Sequence, residues 1–202
     1  MIAIIDYGMG NIHSVRKALE AKGARVVVTS NPGEIKRSAK LVLPGVGAFG
    51  DAMRELEKRN LSESIAEHIK DRKVFLGICL GMHLLFESSE ESPDVRGLGI
   101  LKGRVEKFQS TNNLKIPHMG WNQIKIRKIL CPLFKGLEDA SEVYFCHSYY
   151  LKADDSQIVA ASTEYGVDFP SIIWQNNVYA TQFHPEKSQA MGLKILENFV
   201  NL

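Results

Sequence analysis

Between residues 2 and 79, short apolar runs alternate with stretches of helical periodicity, and few folds accommodate that alternation. Ile2–Asp6, Arg25–Thr29, Leu41–Leu43 and Val74–Ile78 read as strands. Ile12–Lys22, Phe49–Arg59 and Leu61–Lys70 space their apolar residues as helices do, and Pro32–Ser38 reads as a short turn or helix. The runs at 2–6 and 74–78 are nearly all apolar, which suits strands covered on both faces. Strands separated by helices of this length predict βαβ units and a parallel sheet.

The second half reads differently. Gly99–Phe108, Gln123–Ile126, Glu142–Cys146, Gln157–Ala161, Ser171–Gln175 and Val178–Phe183 are expected as successive strands. IIWQ and VYATQF flank a two-residue Asn-Asn connection, a hairpin turn whose residues tolerate positive φ. From Ser188 the chain returns to helix, with Met191, Leu193, Ile195, Leu196 and Phe199 as its apolar positions. The expected fold class is α/β: three layers, a mostly parallel central sheet with helices on both faces, and a β-rich second half. With 202 residues, no internal repeat and no low-complexity linker, the chain is expected to form a single domain over 1–202.

Composition removes several function classes. A net charge of +2 with scattered Lys and Arg gives no electrostatic case for nucleic acid. No run approaches the ~18 continuous apolar residues of a membrane span. MIAIIDYGMGN lacks a basic n-region and a cleavage site and reads as a first strand. Three cysteines at 79, 131 and 146, with no C-x-x-C pair, make neither a disulfide framework nor a zinc site. A reducing, cytoplasmic setting is expected.

The stretch KVFLGICLGMHLLF at 73–86 sets Cys79 between Gly77 and Gly81, where an expected strand passes into an expected helix near Gly81. A cysteine between apolar runs is as often a small buried hydrophobe. The glycines also permit a sharp strand-to-helix turn that presents a nucleophile, as in G-x-S-x-G, and points the Leu80 N–H toward a developing oxyanion. A helix beginning beside a thiol favours the reactive thiolate. Cys131 precedes a proline in an expected loop, and Cys146 ends an apolar strand and is expected in the core.

A cysteine nucleophile needs a base, and the base an orienting group. FHPEKS at 183–188 supplies His184 just past a strand and Glu186 two residues on. Pro185 disfavours a helical His184, so the segment is expected to be extended, with Glu186 in reach of the imidazole. His13 and His68 fall in expected helices and read as solvated; His118 in PHMGWN and His147 in CHSYY have binding or packing roles left open. Six scattered histidines without matched spacing do not make a metal site. DYGMGN at 6–11 has His13 where a dinucleotide loop has its third glycine, and no Walker lysine. LPGVGAFGD at 43–51 is either a glycine-rich turn or a source of backbone donors for an oxyanion.

Taken in order along the chain, DYGMGN, LPGVGAFGDAM, GICLGM, LLFE, SEE, IPHMGWN, YFCHSYY and TQFHPEKS resemble the class I (triad) glutamine amidotransferases. Within that family, PGVGAFGDAM and PHMGWN are most similar to the glutaminase subunits of imidazole glycerol phosphate synthases. The resemblance implies Cys79 as nucleophile, His184 as base and Glu186 as its orienting carboxylate. It implies an oxyanion strand at Pro44, Gly45, Val46 and Gly47, with a backbone N–H near Val46 joining that of Leu80. Gly47, His83, His147, Ser148 and Tyr149 would surround the bound glutamine. Asn11, Trp121, Tyr144 and Lys187 would face a partner subunit near the exit for ammonia. The family's string is GMQLLF; here His83 stands in place of the glutamine.

The implied reaction is hydrolysis of L-glutamine through a cysteine thioester, with no cofactor and no metal. Ammonia would pass to a (β/α)8-barrel cyclase subunit in a heterodimer that makes imidazole glycerol phosphate in histidine biosynthesis. Three readings share part of this pattern: a paralogous glutaminase subunit of a surface-sugar amidotransferase, a non-catalytic regulatory subunit, and a cysteine hydrolase acting on another substrate.

Overall fold

The structure, a computed structural model, describes residues 1–110 and 114–202. Strands β1 (Ile2–Ile5), β2 (Val26–Thr29), β3 (Lys40–Gly45) and β4 (Val74–Cys79) alternate with α1 (Ile12–Ala21), α2 (Pro32–Arg37), α3 (Phe49–Lys58) and α4 (Leu61–Lys70). A single helical turn, α5 (Leu80–His83), follows β4 directly. The second half supplies β5 (Ser88–Ser89), β6 (Gly103–Lys107), β7 (His118–Gln123), β8 (Lys125–Ile126), β9 (Glu142–His147), β10 (Tyr149–Ala153), β11 (Val159–Glu164), β12 (Asp168–Gln175) and β13 (Val178–Thr181). Helix α6 (Gln189–Val200) ends the order, and no helix among the described residues is long and apolar enough to cross a membrane.

The main sheet runs β2-β1-β3-β4-β13-β12-β11-β8. Its pairings are parallel from β2 to β13 and antiparallel beyond. Alternation along β1 divides the core. Ile2 and Ile4 pack with Val15 and Leu19 of α1 and with Ile195 and Phe199 of α6. Ala3 and Ile5 pack on the opposite face with Ile35 of α2, Leu56 of α3 and Ile65 of α4. This is the three-layer α/β architecture expected from the apolar runs. A last strand inserted beside β4 has a consequence for the site, because Thr181 stands in register with Ile78. The chain thus leaves β13 toward FHPEKS next to the point where β4 ends at Cys79.

Several boundaries differ from the sequence reading, each for a local reason. The strand expected from Gly99 begins only at Gly103, because Leu98 and Ile100 give their N–H groups to the carbonyls of Leu84 and Leu85. Gln123–Ile126 splits into the end of β7 and the short β8. PHMGWN and Tyr149–Ala153, unanticipated as strands, form β7 and β10. Glycine and asparagine are poor strand formers, and cross-strand pairing with β9 overrides that preference in β7. The strand expected from Gln157 starts at Val159, since the Asp155 carboxylate accepts from the Gln157 N–H (2.8 Å) and caps a 3₁₀ turn. The Asn-Asn hairpin forms as expected with Asn176 at φ 55°, and Asn177 Nδ2 donates to the carbonyls of Ile69 and Lys73.

Candidate active site

Cys79 sits at φ 52° and ψ −108°, a backbone conformation that strains a residue bearing a Cβ. Space, not only flexibility, dictates the glycines around it. A Cβ on Gly81 would lie 1.9 Å from the Leu43 carbonyl oxygen, and one on Gly77 would lie 2.7 Å from the Gly81 oxygen. Gly45, in register with Cys79 across β3 and β4, would meet the Leu80 Cβ at 2.8 Å. G-x-C-x-G is therefore the pattern that lets β3 approach a sharp turn at the end of β4. The helix expected after the turn is only the four residues of α5, too short for an appreciable macrodipole. Its first N–H groups, that of Leu80 foremost, still lack intrahelical partners.

His184 is extended (φ −96°, ψ 97°), as a residue before proline should be. The segment beyond it is not extended: Pro185–Lys187 forms a 3₁₀ turn, which folds Glu186 back beneath the imidazole. His184 Nδ1 donates to Glu186 Oε1 (2.9 Å), and both side chains are almost wholly buried. That bond leaves Nε2 to face the thiol. Strand β9 braces the turn. The Tyr144 carbonyl accepts from the His184 N–H (3.0 Å), while Ser188 Oγ accepts from the Tyr144 N–H and donates to the His184 carbonyl. Burial opposes charge on His184, but hydrogen bonding to Cys79 and Glu186, and then their charges, push it up to about 10. The arrangement suits an imidazolium held between the Cys79 sulfur and a carboxylate.

Cys79 and His184 open into a cavity of about 350 Å³. Of the residues singled out in the sequence, Val46, Gly47, Leu80 and His83 form one side, and His147, Ser148, Tyr149 and Lys187 another. Gly45 and Glu186 stand immediately behind the lining, under Cys79 and His184 respectively. Asn11, Trp121 and Tyr144 do not line it. Asn11 is the residue before α1, and Trp121 and Tyr144 pair across β7 and β9 with their rings edge to face at 6.1 Å.

Two lining residues give the cavity a chemistry that spacing alone did not reveal. Glu91, within the SEE string, accepts the Phe49 N–H at the start of α3 (2.8 Å) and brings a carboxylate to the cavity. Cys146 lines it too, correcting its assignment to the core: it points away from the face that Val143 and Phe145 bury. Nothing in the spacing joins Glu91 to residue 49, and the alternation of EVYFCH was the available signal for Cys146. His68, read as solvated, is buried with Nε2 on the Val74 carbonyl (3.3 Å), and burial lowers its pKa. Cys131 is buried, and burial pushes its thiol up to about 11.

His83 is buried, with Nε2 2.7 Å from Gln182 Oε1; burial pulls its pKa to about 4 despite that bond, so the ring is neutral. His147 is held at about 3, chiefly by burial, although the Tyr149 carbonyl accepts from its Nδ1 (2.7 Å). The cavity therefore combines one charged imidazole beside sulfur with two neutral imidazoles and one carboxylate.

The family model described as glutamine amidotransferase class-I matches residues 3–202. The chain belongs to the class I glutamine amidotransferases. Among members of this family, the imidazole glycerol phosphate synthase subunit HisH of Methanocaldococcus jannaschii is 53% identical over 202 residues, all of both chains. The HisH subunit of Geobacter sulfurreducens is 50% identical, with 98% of this chain and 97% of that one covered. A glutamine amidotransferase crystal structure shares the amidotransferase fold at a TM-score of 0.77 and 16% identity, with both chains covered in full. PurLQS from Thermotoga maritima does so at 0.74 and 19%, covering 99% of this chain and 97% of that one.

Proposed function

We propose that this chain is the glutaminase subunit of an imidazole glycerol phosphate synthase, acting as a single amidotransferase domain with Cys79, His184 and Glu186 as its triad. The observation that carries the reading is the Glu186-anchored His184 facing Cys79 at a glycine-enforced elbow. The Cys79 thiolate attacks the side-chain amide carbon of L-glutamine. Backbone N–H groups of Leu80 and the Val46 region hold the oxyanion. His184, its Nδ1 fixed on Glu186, delivers the Nε2 proton to the departing ammonia. It then takes a proton from the water that hydrolyses the thioester, releasing glutamate. Glu91 supplies the carboxylate for the substrate's ammonium group, while Gly47, Ser148 and Tyr149 line its other end. Neutral His83 offers a hydrogen bond where the family has a glutamine side chain. The step uses no metal and no cofactor.

Ammonia then passes to a (β/α)8-barrel cyclase subunit in a cytoplasmic heterodimer. Trp121, Tyr144, Lys187 and Asn11 face that partner. Exposed apolar Val46, Met119 and Trp121, at 41%, 61% and 45%, support a docking face on this side. The glycine-rich Pro44–Gly47 segment is the part that the loaded partner reshapes, so the isolated chain is nearly silent. Glutamate release from glutamine, measured with and without the cyclase subunit and its ligand, tests the reading. Activity confined to the loaded complex supports it. Full activity of the isolated chain removes the activation step, and no activity in the complex removes the function. Rescue of a histidine auxotroph separates the histidine pathway from a surface-sugar amidotransferase.

A further inference from the structure

His118 takes no part in the chemistry above, yet its ring is the centre of a hydrogen-bonded line that ends at the cavity wall. It lies on β7, 3% exposed, stacked between Tyr165 (centroids 3.9 Å apart) and Phe145 (4.7 Å). Its Nδ1 is 3.0 Å from His147 Nε2, and its Nε2 is 3.2 Å from Asn122 Nδ2. The direction of every bond follows from the far end. The Tyr149 carbonyl can only accept, so His147 Nδ1 carries the hydrogen. In a neutral ring His147 Nε2 is then bare, and it accepts from His118 Nδ1. His118 Nε2 is bare in turn and accepts from Asn122, whose second amide hydrogen goes to the Glu164 carbonyl (3.0 Å). Burial holds both rings neutral, His118 at about 4 and His147 at about 3. Reversing one tautomer would set two N–H groups or two lone pairs against each other within the core.

We infer that His118 is a positioning residue for glutamine binding: by donating to His147 it fixes the tautomer that ties down the Tyr149 carbonyl, and with it the Ser148–Tyr149 wall of the cavity. The inference rests on the proposal that glutamine occupies this cavity. It separates binding from chemistry, because Cys79, His184 and Glu186 stand on other elements.

Two substitutions in the complex with the cyclase subunit test it. His118→Phe keeps the aromatic stack and removes the donor. His118→Asn loses the stack but keeps a donor near the Nδ1 position. Loss of one buried hydrogen bond predicts about a ten-fold rise in KM for L-glutamine in His118→Phe, with kcat within about two-fold. His118→Asn should recover most of that KM even though its Tm is the lower of the two. A residue that only fills space would give the same Tm order but the opposite KM order, with His118→Phe the better binder. An unchanged KM in His118→Phe, or a KM in His118→Asn that is no better, overturns the inference. Imidazole ¹⁵N shifts of the unsubstituted protein give a second test that needs no turnover: His147 protonated on Nδ1 and bare on Nε2 supports the line, and the opposite tautomer overturns it. If the unsubstituted complex releases no glutamate, the proposed function has failed and the role in glutamine binding with it, and the ¹⁵N shifts decide whether His118 sets the His147 tautomer.

Discussion

The wall of the cavity that carries Cys79 and His184 stands on the parallel part of the main sheet, whereas the wall of His147, Ser148 and Tyr149 stands on strands outside it, β9 and β10. The first is shaped by backbone sterics: a strained Cys79, and glycines at 45, 77 and 81 whose side-chain space is already filled by the turn and by the neighbouring strand β3. The second is shaped by side chains bonded across the sequence, His118 to His147 over 29 residues and Asn122 to Glu164 over 42. The comparison teaches that close backbone packing shapes the turn at Cys79, while a polar network holds the surface opposite it.

Exchanging glycines tests that contrast most severely. Gly81→Ala drives a Cβ into the Leu43 carbonyl, which β3 cannot withdraw, and should cost about 4 kcal/mol or more, or abolish folding, in urea titration. Next in size, Glu186→Gln should lower kcat for glutamine hydrolysis by about 10²–10⁴-fold with KM little changed, because His184 loses the carboxylate that orients it. The same change should bring the His184 pKa down from about 10, read by imidazole NMR, since the Glu186 bond is one of the causes that raise it.

The buried histidines should also respond to pH with opposite sign. His83, His118 and His147 are held near 4, 4 and 3, below the unfolded value of 6.5. The unfolded chain therefore binds more protons below pH 6.5, and stability falls from there toward pH 4, by on the order of 1–2 kcal/mol per ring at pH 5. His184 is raised, so its contribution is complete below 6.5 and is lost as pH climbs through about 10. Urea midpoints across pH 5 to 10 should decline at both ends, and replacing His118 by Phe should flatten the acid limb alone. The smallest effect belongs to Gly120→Ala on β7. Its φ of 137° is strained for alanine but nothing lies within 4 Å of the new Cβ, so about 1–2 kcal/mol is expected.

The same contrast explains what could be read from residues alone. β1, β4 and α1 were legible because apolar periodicity and burial coincide there, and GICLG and FHPEKS because each sets its key residues a few positions apart, although the 3₁₀ turn at Pro185–Lys187 was not read. β7 was not, since its strand conformation comes from pairing with β9 against the preferences of Gly120 and Asn122. Glu91 escaped because its partner is the N–H of Phe49, on a different element. His118 stands out in PHMGWN with its role open between binding and packing, because its meaning lies in the tautomer of a ring that only the fold brings near.

The central claim, that Cys79 is the nucleophile, meets a direct rival in the same cavity, for Cys146 lines it as well. Treating the complex with a glutamine-like electrophile and mapping the adduct by mass spectrometry distinguishes them. A single adduct on Cys79, suppressed by L-glutamine and absent from Cys79→Ala, is the predicted result. An adduct on Cys146 that survives Cys79→Ala, or labelling of Cys79 that glutamine does not protect, would contradict it.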